Sequence, residues 1–283
     1  MKVTTAVIFA SGFGSRMLPV TAAVQKDLLP ILDRPCIDYI IADCLEAGIR
    51  DFIITIRPGS HDMQDYYVGN PVLESHLRRY GKKEALAKLH TIHKQATFNF
   101  VEQPADAGYG TAVPLMVAIP HLPKDSAVLV SSGDEVIWRT DGGSNMRDLV
   151  SVFEDSGAEG AITGLEQPED QLYKYGVLEV ARDGDHEFLR GFVEKPELGQ
   201  APSNVANTSK YILTPDLLKY VLNVKPDAKS NEFYVTDAVR NAAAEHNVVV
   251  SRAKGEWLDC GSVKGWLHAN LTVAKSRPEL GLV

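Results

Sequence analysis

The sequence predicts an α/β fold, with a mixed, mostly parallel central sheet flanked by helices. Three observations carry this. Short apolar runs alternate with helical periodicity through residues 1–157. The first run breaks into a glycine-bearing loop rather than a hairpin turn. Beyond Ala158 the runs become short and closely spaced, as in antiparallel strands.

Taken in order, Val3–Phe9 and Asp51–Ile56 read as short buried strands. The helix between them lies near Cys36–Ala47, and Gly48 terminates it. Residues 61–95 are polar and highly charged with helical spacing, as in Leu73-Glu-Ser-His-Leu-Arg-Arg-Tyr80 and Lys82-Lys-Glu-Ala-Leu-Ala-Lys-Leu89. They read as helices outside the sheet, with His90 and His93 as surface groups. Thr97–Val101 and Ala127–Ser131 are further strands, with a helix starting near Gly110 between them. This β-α-β order implies parallel pairing, right-handed crossovers and helices on both faces, a Rossmann-like arrangement. Short strands at Gly160–Leu165, Gly176–Val180, Phe188–Val193 and Ser209–Leu213 make a smaller antiparallel or mixed region. Helices around Thr236–Glu245 and Val263–Lys275 close the chain. Without a repeat, a low-complexity stretch or a linker, residues 1–283 read as a single domain whose halves, 1–157 and 158–283, share one sheet.

A chain of 283 residues can bury a substantial core, and 45% hydrophobic with 23% charged residues is ordinary for a globular enzyme. A net charge of −8 argues against broad affinity for nucleic acid or an anionic membrane. Any anion site must therefore be a local gathering of cations. Cys36, Cys44 and Cys260 have no metal-like spacing and suggest a reducing compartment. The first strand begins without a leader-like segment, and no apolar run is long enough for a bilayer, so the expected location is the cytoplasm.

The loop after the first strand carries the clearest chemistry. Ala10-Ser-Gly-Phe-Gly-Ser-Arg16 is followed by Pro19 and then by Lys26-Asp-Leu-Leu-Pro30. Small residues let backbone N–H groups approach an anion, and the two cations balance its charge. That pattern points to a polyphosphate. A P-loop is excluded because G-x-x-x-x-G-K-[ST] does not occur. A dinucleotide fingerprint is excluded because Met17 stands where its third glycine belongs.

Ligands of open α/β sheets bind beyond the carboxyl ends of the strands. Asp134 follows Ala127–Ser131 through Ser-Gly and falls at such an end, where a carboxylate can hold a divalent cation against phosphate oxygens. Asp259, in Trp257-Leu-Asp-Cys-Gly261, has a similar setting. Either alone reads more simply as a turn or helix-capping aspartate. Together with a cation-bearing loop they favour a metal–phosphate site. Lys195, in Glu194-Lys-Pro196, ends a strand and can meet a phosphate as a point charge, although a solvated lysine is common there. The carboxamide of Gln103 suits the amide-like edge of a pyrimidine, with a surface role as the alternative. Trp257 and Trp266 read as core residues.

With these motifs assembled, the chain resembles the bacterial UTP–glucose-1-phosphate uridylyltransferases (UDP-glucose pyrophosphorylases), a branch of the sugar-phosphate nucleotidyltransferases. The resemblance runs along nearly the whole chain. The opening motifs G-x-G-[TS]-R-x-x-P-x-T and P-K-E-x-L-P appear as Gly12-Phe-Gly-Ser-Arg16 with Pro19 and Thr21, then Gln25-Lys-Asp-Leu-Leu-Pro30. Gln103 with Gly108-Tyr-Gly110 matches the base-binding segment, and Asp134 the metal aspartate. Tyr175-Gly-Val177, Glu194-Lys-Pro196 and Ala201-Pro-Ser-Asn204 match the sugar side. Thr236-Asp-Ala238 and Asp259-Cys-Gly261 match the closing motifs. The charged insert at 61–95 and Ala201–Asn204 resemble the UDP-glucose branch rather than the thymidylyltransferase branch. Four places depart from the pattern: Gln25 for proline, Asp27 for glutamate, Ser209-Lys-Tyr211 for Gly-Arg-Tyr, and the segment Asn231–Val235.

The resemblance implies a nucleotide-diphospho-sugar transferase fold, with 1–157 mainly nucleotide-binding and 158–283 mainly sugar-binding. It implies that a phosphate oxygen of glucose 1-phosphate attacks the α-phosphorus of UTP in line, giving UDP-glucose and pyrophosphate. No side-chain nucleophile or general base is needed, since the attacking phosphate is already ionised. The implied catalytic residues are Arg16, Lys26 and Lys195. Ala10, Ser11, Gly12, Gly14, Ser15, Asp27, Gln103 and Gly108 would bind the nucleotide. Gly176, Glu194, Lys195 and Asn204 would bind the sugar, and Asp134 with Asp259 would hold Mg²⁺. A homo-oligomer, dimer or tetramer, is also implied. A sister transferase using dTTP or another nucleotide or sugar phosphate, and a non-catalytic nucleotide-sugar-binding relative, remain alternatives.

Overall fold

The computed structural model describes residues 1–89 and 94–281, so His90 and His93 lie outside the described residues. Thirteen strands occur among them: β1 Val3–Ala10, β2 Pro30–Ile31, β3 Arg34–Pro35, β4 Asp51–Ile56, β5 Thr97–Glu102, β6 Ala127–Ser132, β7 Glu135–Trp138, β8 Gly160–Glu166, β9 Gly176–Asp183, β10 His186–Glu194, β11 Val205–Leu213, β12 Val248–Arg252 and β13 Glu256–Asp259. The α-helices are α1 Cys36–Glu46, α2 Asp62–Val68, α3 Pro71–Arg79, α4 Lys83–Leu89, α5 Ala112–Ala118, α6 Asn145–Ser156, α7 Pro215–Asn223, α8 Val235–Ala243 and α9 Val263–Lys275.

Nine strands form one sheet in the order β5-β4-β1-β6-β11-β8-β12-β10-β9. The β5-β4-β1-β6 portion is parallel. The rest is antiparallel apart from the parallel β12–β8 pair. The chain runs outward from β1 to β4 and β5, then returns to place β6 on the other side of β1. The crevice between the loops after β1 and β6 is thus the switch point at which open sheets bind ligands. A small ribbon, β7 paired with β13, stands apart from the main sheet and begins directly after Asp134.

Alternation along the strands supplies two apolar layers. Ala6, Ile8, Phe52 and Ile54 face one way and pack with Ile37 and Ile41 of α1, Leu149 and Phe153 of α6, and Val273 of α9. Val7, Ile53, Val128 and Val130 face the other way, against Leu115 of α5, Leu217 of α7 and Val239 of α8. Parallel strands covered on both faces read as continuous apolar runs, which is why Val3–Phe9 and Asp51–Ile56 are legible as strands. Gly48, with φ 87°, ends the first helix as its sequence indicates. Residues 61–95 break into three short helices, α2, α3 and α4, with the end of that stretch outside the described residues.

Candidate active site

The loop after β1 is held from below by a residue that departs from the expected pattern. Gln25 is fully buried and donates its Nε2 to the Ala10 carbonyl at 2.8 Å, while its Oε1 accepts from Ser60 Oγ at 3.1 Å. A carboxamide can staple two segments where a proline cannot. Ala10 and the loop entrance are therefore anchored to the loop after β4. Gln25→Ala is expected to lower unfolding free energy by about 2–4 kcal/mol, through a cavity and unpaired polar groups, and urea unfolding checks it.

Within the loop, Gly14 has a left-handed backbone (φ 65°), and its carbonyl accepts from Thr21 Oγ1 at 2.8 Å. A β-carbon there would lie 2.9 Å from Thr21 Cγ2, so glycine is required on two counts. Gly12 faces the Lys26 stem, leaving only 3.3 Å for a β-carbon. Ser11 is buried and donates to Gln103 Oε1 at 2.6 Å, which brings the loop to the end of β5. Ser15 and Arg16 are exposed and open the turn that follows.

Lys26 reaches the carboxylate of Asp134 and stands 3.9 Å from Asp27. Burial opposes the ammonium charge, but Asp134 and Asp27 outweigh it and hold the lysine pKa above its ordinary value. Burial likewise opposes ionisation of Asp134; the charge of Lys26 and the hydrogen bonds from Lys26 and Ser132 Oγ (2.8 Å) keep its pKa below the usual carboxylate range. Gly133 bonds back to the Phe9 carbonyl at 2.9 Å, so the ends of β1 and β6 touch at the site.

Asp27, expected at the nucleotide, lies wholly buried beneath Gly133, and among the described residues its carboxylate oxygens have no hydrogen-bond partner. It offers no surface to a ligand. Burial pushes its pKa up to about 7, with Lys26 pulling the other way and Asp134 adding to the rise. An unfolded aspartate ionises near 3.8, so between there and about 7 the folded chain holds the extra proton and loses stability as pH rises. Asp27→Asn removes this slope. Relative to the parent, the variant is expected to gain stability between pH 5 and pH 8; parallel urea-unfolding curves at the two pH values would count against it.

The ribbon β7–β13 brings in the second aspartate. Asp259 pairs across from Glu135, and the Cys260 N–H donates to the Asp134 carbonyl at 2.9 Å. The two aspartates, 125 positions apart, therefore flank one short ladder. Arg16 Nη1 lies 4.0 Å from Asp259 Oδ2, and both side chains are largely exposed. All three charged groups converge on Gly261: a β-carbon there would lie 2.6 Å from Asp134 Oδ2, 2.8 Å from Arg16 Nη2 and 3.1 Å from Asp259 Oδ1. The Gly261 N–H also donates to Asp259 Oδ1 at 2.9 Å.

Lys195 adopts a left-handed backbone (φ 45°) at the end of β10, and its N–H donates to the Tyr175 carbonyl at 3.0 Å. The Tyr175 ring stacks on Trp257 of β13 with centroids 4.8 Å apart. The Lys195 loop is thereby tied to the strand that carries Asp259. Gly176 leaves 2.8 Å between a would-be β-carbon and Glu194 Oε2. Asn204 is exposed just before β11, and the neighbouring Ser203 Oγ donates to the Leu178 carbonyl of β9 at 2.6 Å. Trp257 and Trp266 are half-buried rather than core, the latter donating Nε1 to the Pro30 carbonyl at 2.8 Å.

Sequence reasoning missed the partner of the Gly108–Gly110 segment. Phe233 N–H donates to Tyr109 O and Ala112 N–H to Phe233 O, both at 2.8 Å, while the Phe233 ring leaves 3.2 Å beside Gly108. Gly108 and Gly110 have φ 96° and 125°, open only to glycine in practice. The departure at Asn231–Val235 is thus the wall against which the expected base-binding loop rests.

A cation-bearing glycine loop at a sheet switch point, facing two converging carboxylates, defines an enzyme of nucleotide phosphate transfer. The chain belongs to the Nucleotidyl transferase family, whose model matches residues 5–276. It is 32% identical to the UTP–glucose-1-phosphate uridylyltransferase of Staphylococcus epidermidis, over 99% of this chain and 95% of that one. A UDP-glucose pyrophosphorylase solved with UDP-glucose superposes with TM-score 0.85 at 27% identity, covering 98% of this chain and all of the other. The UTP-bound UGPase from Acinetobacter baumannii superposes with TM-score 0.87 at 26% identity, over 99% and 96%. The fold is that of the nucleotide-diphospho-sugar transferases.

Proposed function

We infer that the chain transfers a uridylyl group from UTP to glucose 1-phosphate, releasing pyrophosphate and forming UDP-glucose. The near full-length similarity to enzymes carrying that name supports the reading, and the convergence of Asp134, Asp259 and Arg16 on Gly261 carries the chemistry. Two anions must meet, so the task is positional and electrostatic.

The nucleotide lies over residues 1–157, with its phosphates along Ala10–Ser15 and its uracil near Gln103 and Gly108. Residues 158–283 receive the sugar at Gly176, Glu194 and Asn204. Lys195 meets the sugar phosphate, Lys26 the nucleotide phosphates, and Arg16, exposed at the loop edge, the departing pyrophosphate. Asp134 and Asp259 suit Mg²⁺, since two carboxylates around an open point leave room for phosphate oxygens to complete its shell. When bound, such an ion would supply positive charge that eases the approach of two anions. In this resting arrangement Lys26 neutralises Asp134, and its flexible stem lets the ammonium shift toward a phosphate.

Location in the cytoplasm accords with the lack of any helix long and apolar enough to cross a membrane among the described residues. Assembly as a homodimer or tetramer accords with the exposed Val263, Leu267 and Leu271, spaced four residues apart on α9; light scattering tests it. A matrix of initial rates, reading pyrophosphate release from UTP, dTTP, CTP and ATP with several sugar 1-phosphates, tests the reaction. The pair UTP and glucose 1-phosphate is expected to be fastest. Dominance of dTTP would replace the uridylyl assignment, and UDP-glucose binding without exchange of labelled pyrophosphate would make the chain a binding protein.

A further inference from the structure

Lys210, 2% exposed, is almost wholly buried and has no part in the reaction as proposed. A buried ammonium is costly unless its N–H groups find acceptors. Lys210 Nζ donates to the Glu135 carbonyl at 2.8 Å and to the Thr208 carbonyl at 3.2 Å. Burial pulls its pKa below the ordinary lysine value, and the nearby Glu135 and Asp43 carboxylates offset only part of that.

The backbone around it is shaped for this reach. Strand β11 pairs regularly with β8 as far as Asn207 and resumes at Tyr211, with an irregularity between. Ser209 has φ 56°, and its N–H donates to Asn207 Oδ1 at 3.0 Å. Bulges of this kind re-aim a side chain beside a functional site. Lys210 stands opposite Ser131 of β6, three positions before Asp134. Its ammonium runs along the end of β6 to the first residue of β7.

Glu135 is the residue across from Asp259. The contact therefore lands at the base of the ribbon from which both aspartates project. We propose that Lys210 is a positioning residue, pinning the main chain at Glu135 so that the carboxylates of Asp134 and Asp259 converge. This rests on the reading of those two aspartates as the metal-holding pair.

The test is Mn²⁺ binding in the presence of UTP, followed by electron paramagnetic resonance of the free ion. Lys210→Met is expected to weaken Mn²⁺ binding at least about tenfold, while UTP binding without metal stays within about threefold. Lys210→Arg, which restores a buried cation with donors, is expected to recover most of the affinity. A folded Lys210→Met that binds Mn²⁺ as the parent does would overturn the proposal. Asp134→Asn in the same assay separates the two ideas: unchanged Mn²⁺ binding there refutes the metal reading itself. Should Lys210→Met lose its cooperative melt, hydrogen exchange in the parent protein decides. The amides of Val136–Trp138 are expected to be as protected as those of Val128–Val130, and exchange as fast as at the exposed turn Asp183–Asp185 would overturn the pin.

Discussion

Asp134→Asn is expected to lower kcat by about 10³-fold at saturating substrates and Mg²⁺, equivalent to about 4 kcal/mol of transition-state stabilisation. The carboxamide is nearly the same size and keeps an acceptor for Ser132 Oγ, so the loss is of charge rather than shape. Lys26 would not be stranded. Asp27 lies 3.9 Å away, and Asp134 is one cause of its raised pKa, so removing that carboxylate favours ionisation of Asp27 beside the lysine. Folding should therefore survive, with a melting temperature close to that of the parent. Retention of more than a tenth of the parental kcat would remove Asp134 from the chemistry.

The second large effect is expected at a residue with no side chain. Gly261→Ala places a methyl group within 3.1 Å of Asp134, Arg16 and Asp259 at once. Gly261 is not among the glycines with positive φ, so its backbone accepts alanine without strain. The three atoms nearest that methyl group all belong to side chains, and two of these, Arg16 and Asp259, are largely exposed. Stability should change by less than about 1 kcal/mol, while displacement of the groups proposed to meet the phosphates is expected to cost about 10²-fold in kcat/KM. A combined loss of activity and fold would mean that the glycine serves packing instead. Unchanged kinetics would mean that the convergence has no bearing on catalysis.

Much of this was legible in the chain. The parallel strands β1, β4, β5 and β6 are buried on both faces, so their apolar runs announce themselves, and the glycine loop follows at once. Asp134 and Asp259 were readable because each follows an apolar run and precedes a turn. The ladder β7–β13 that brings them together was not, because it consists of two four-residue strands far apart in sequence. Helix α6 went unread although its signals are present: Ser144 caps it, accepting from Arg147 N–H, and Gly157 follows its end at φ 66°. Asp27 and Lys210 could not be found as buried groups. A charged residue in a sequence reads as solvated, and only tertiary contacts reveal that its partners come from elsewhere. Gln25 is the same case in neutral form: its carboxamide matters through Ala10 and Ser60, neither of which marks it locally.

The placement of β13 bears on how the protein is made. By Arg252 all nine strands of the main sheet have been synthesised, yet Asp259 and Gly261 have not. A polypeptide ending between those points has every strand of the main sheet but neither helix α9 nor the second aspartate. During synthesis, at about 5–20 residues per second, the sheet can assemble before the site closes. On the reading of Asp134 and Asp259 as a pair, the site is completed late and over a few residues, when the strand bearing Asp259 docks beside Glu135.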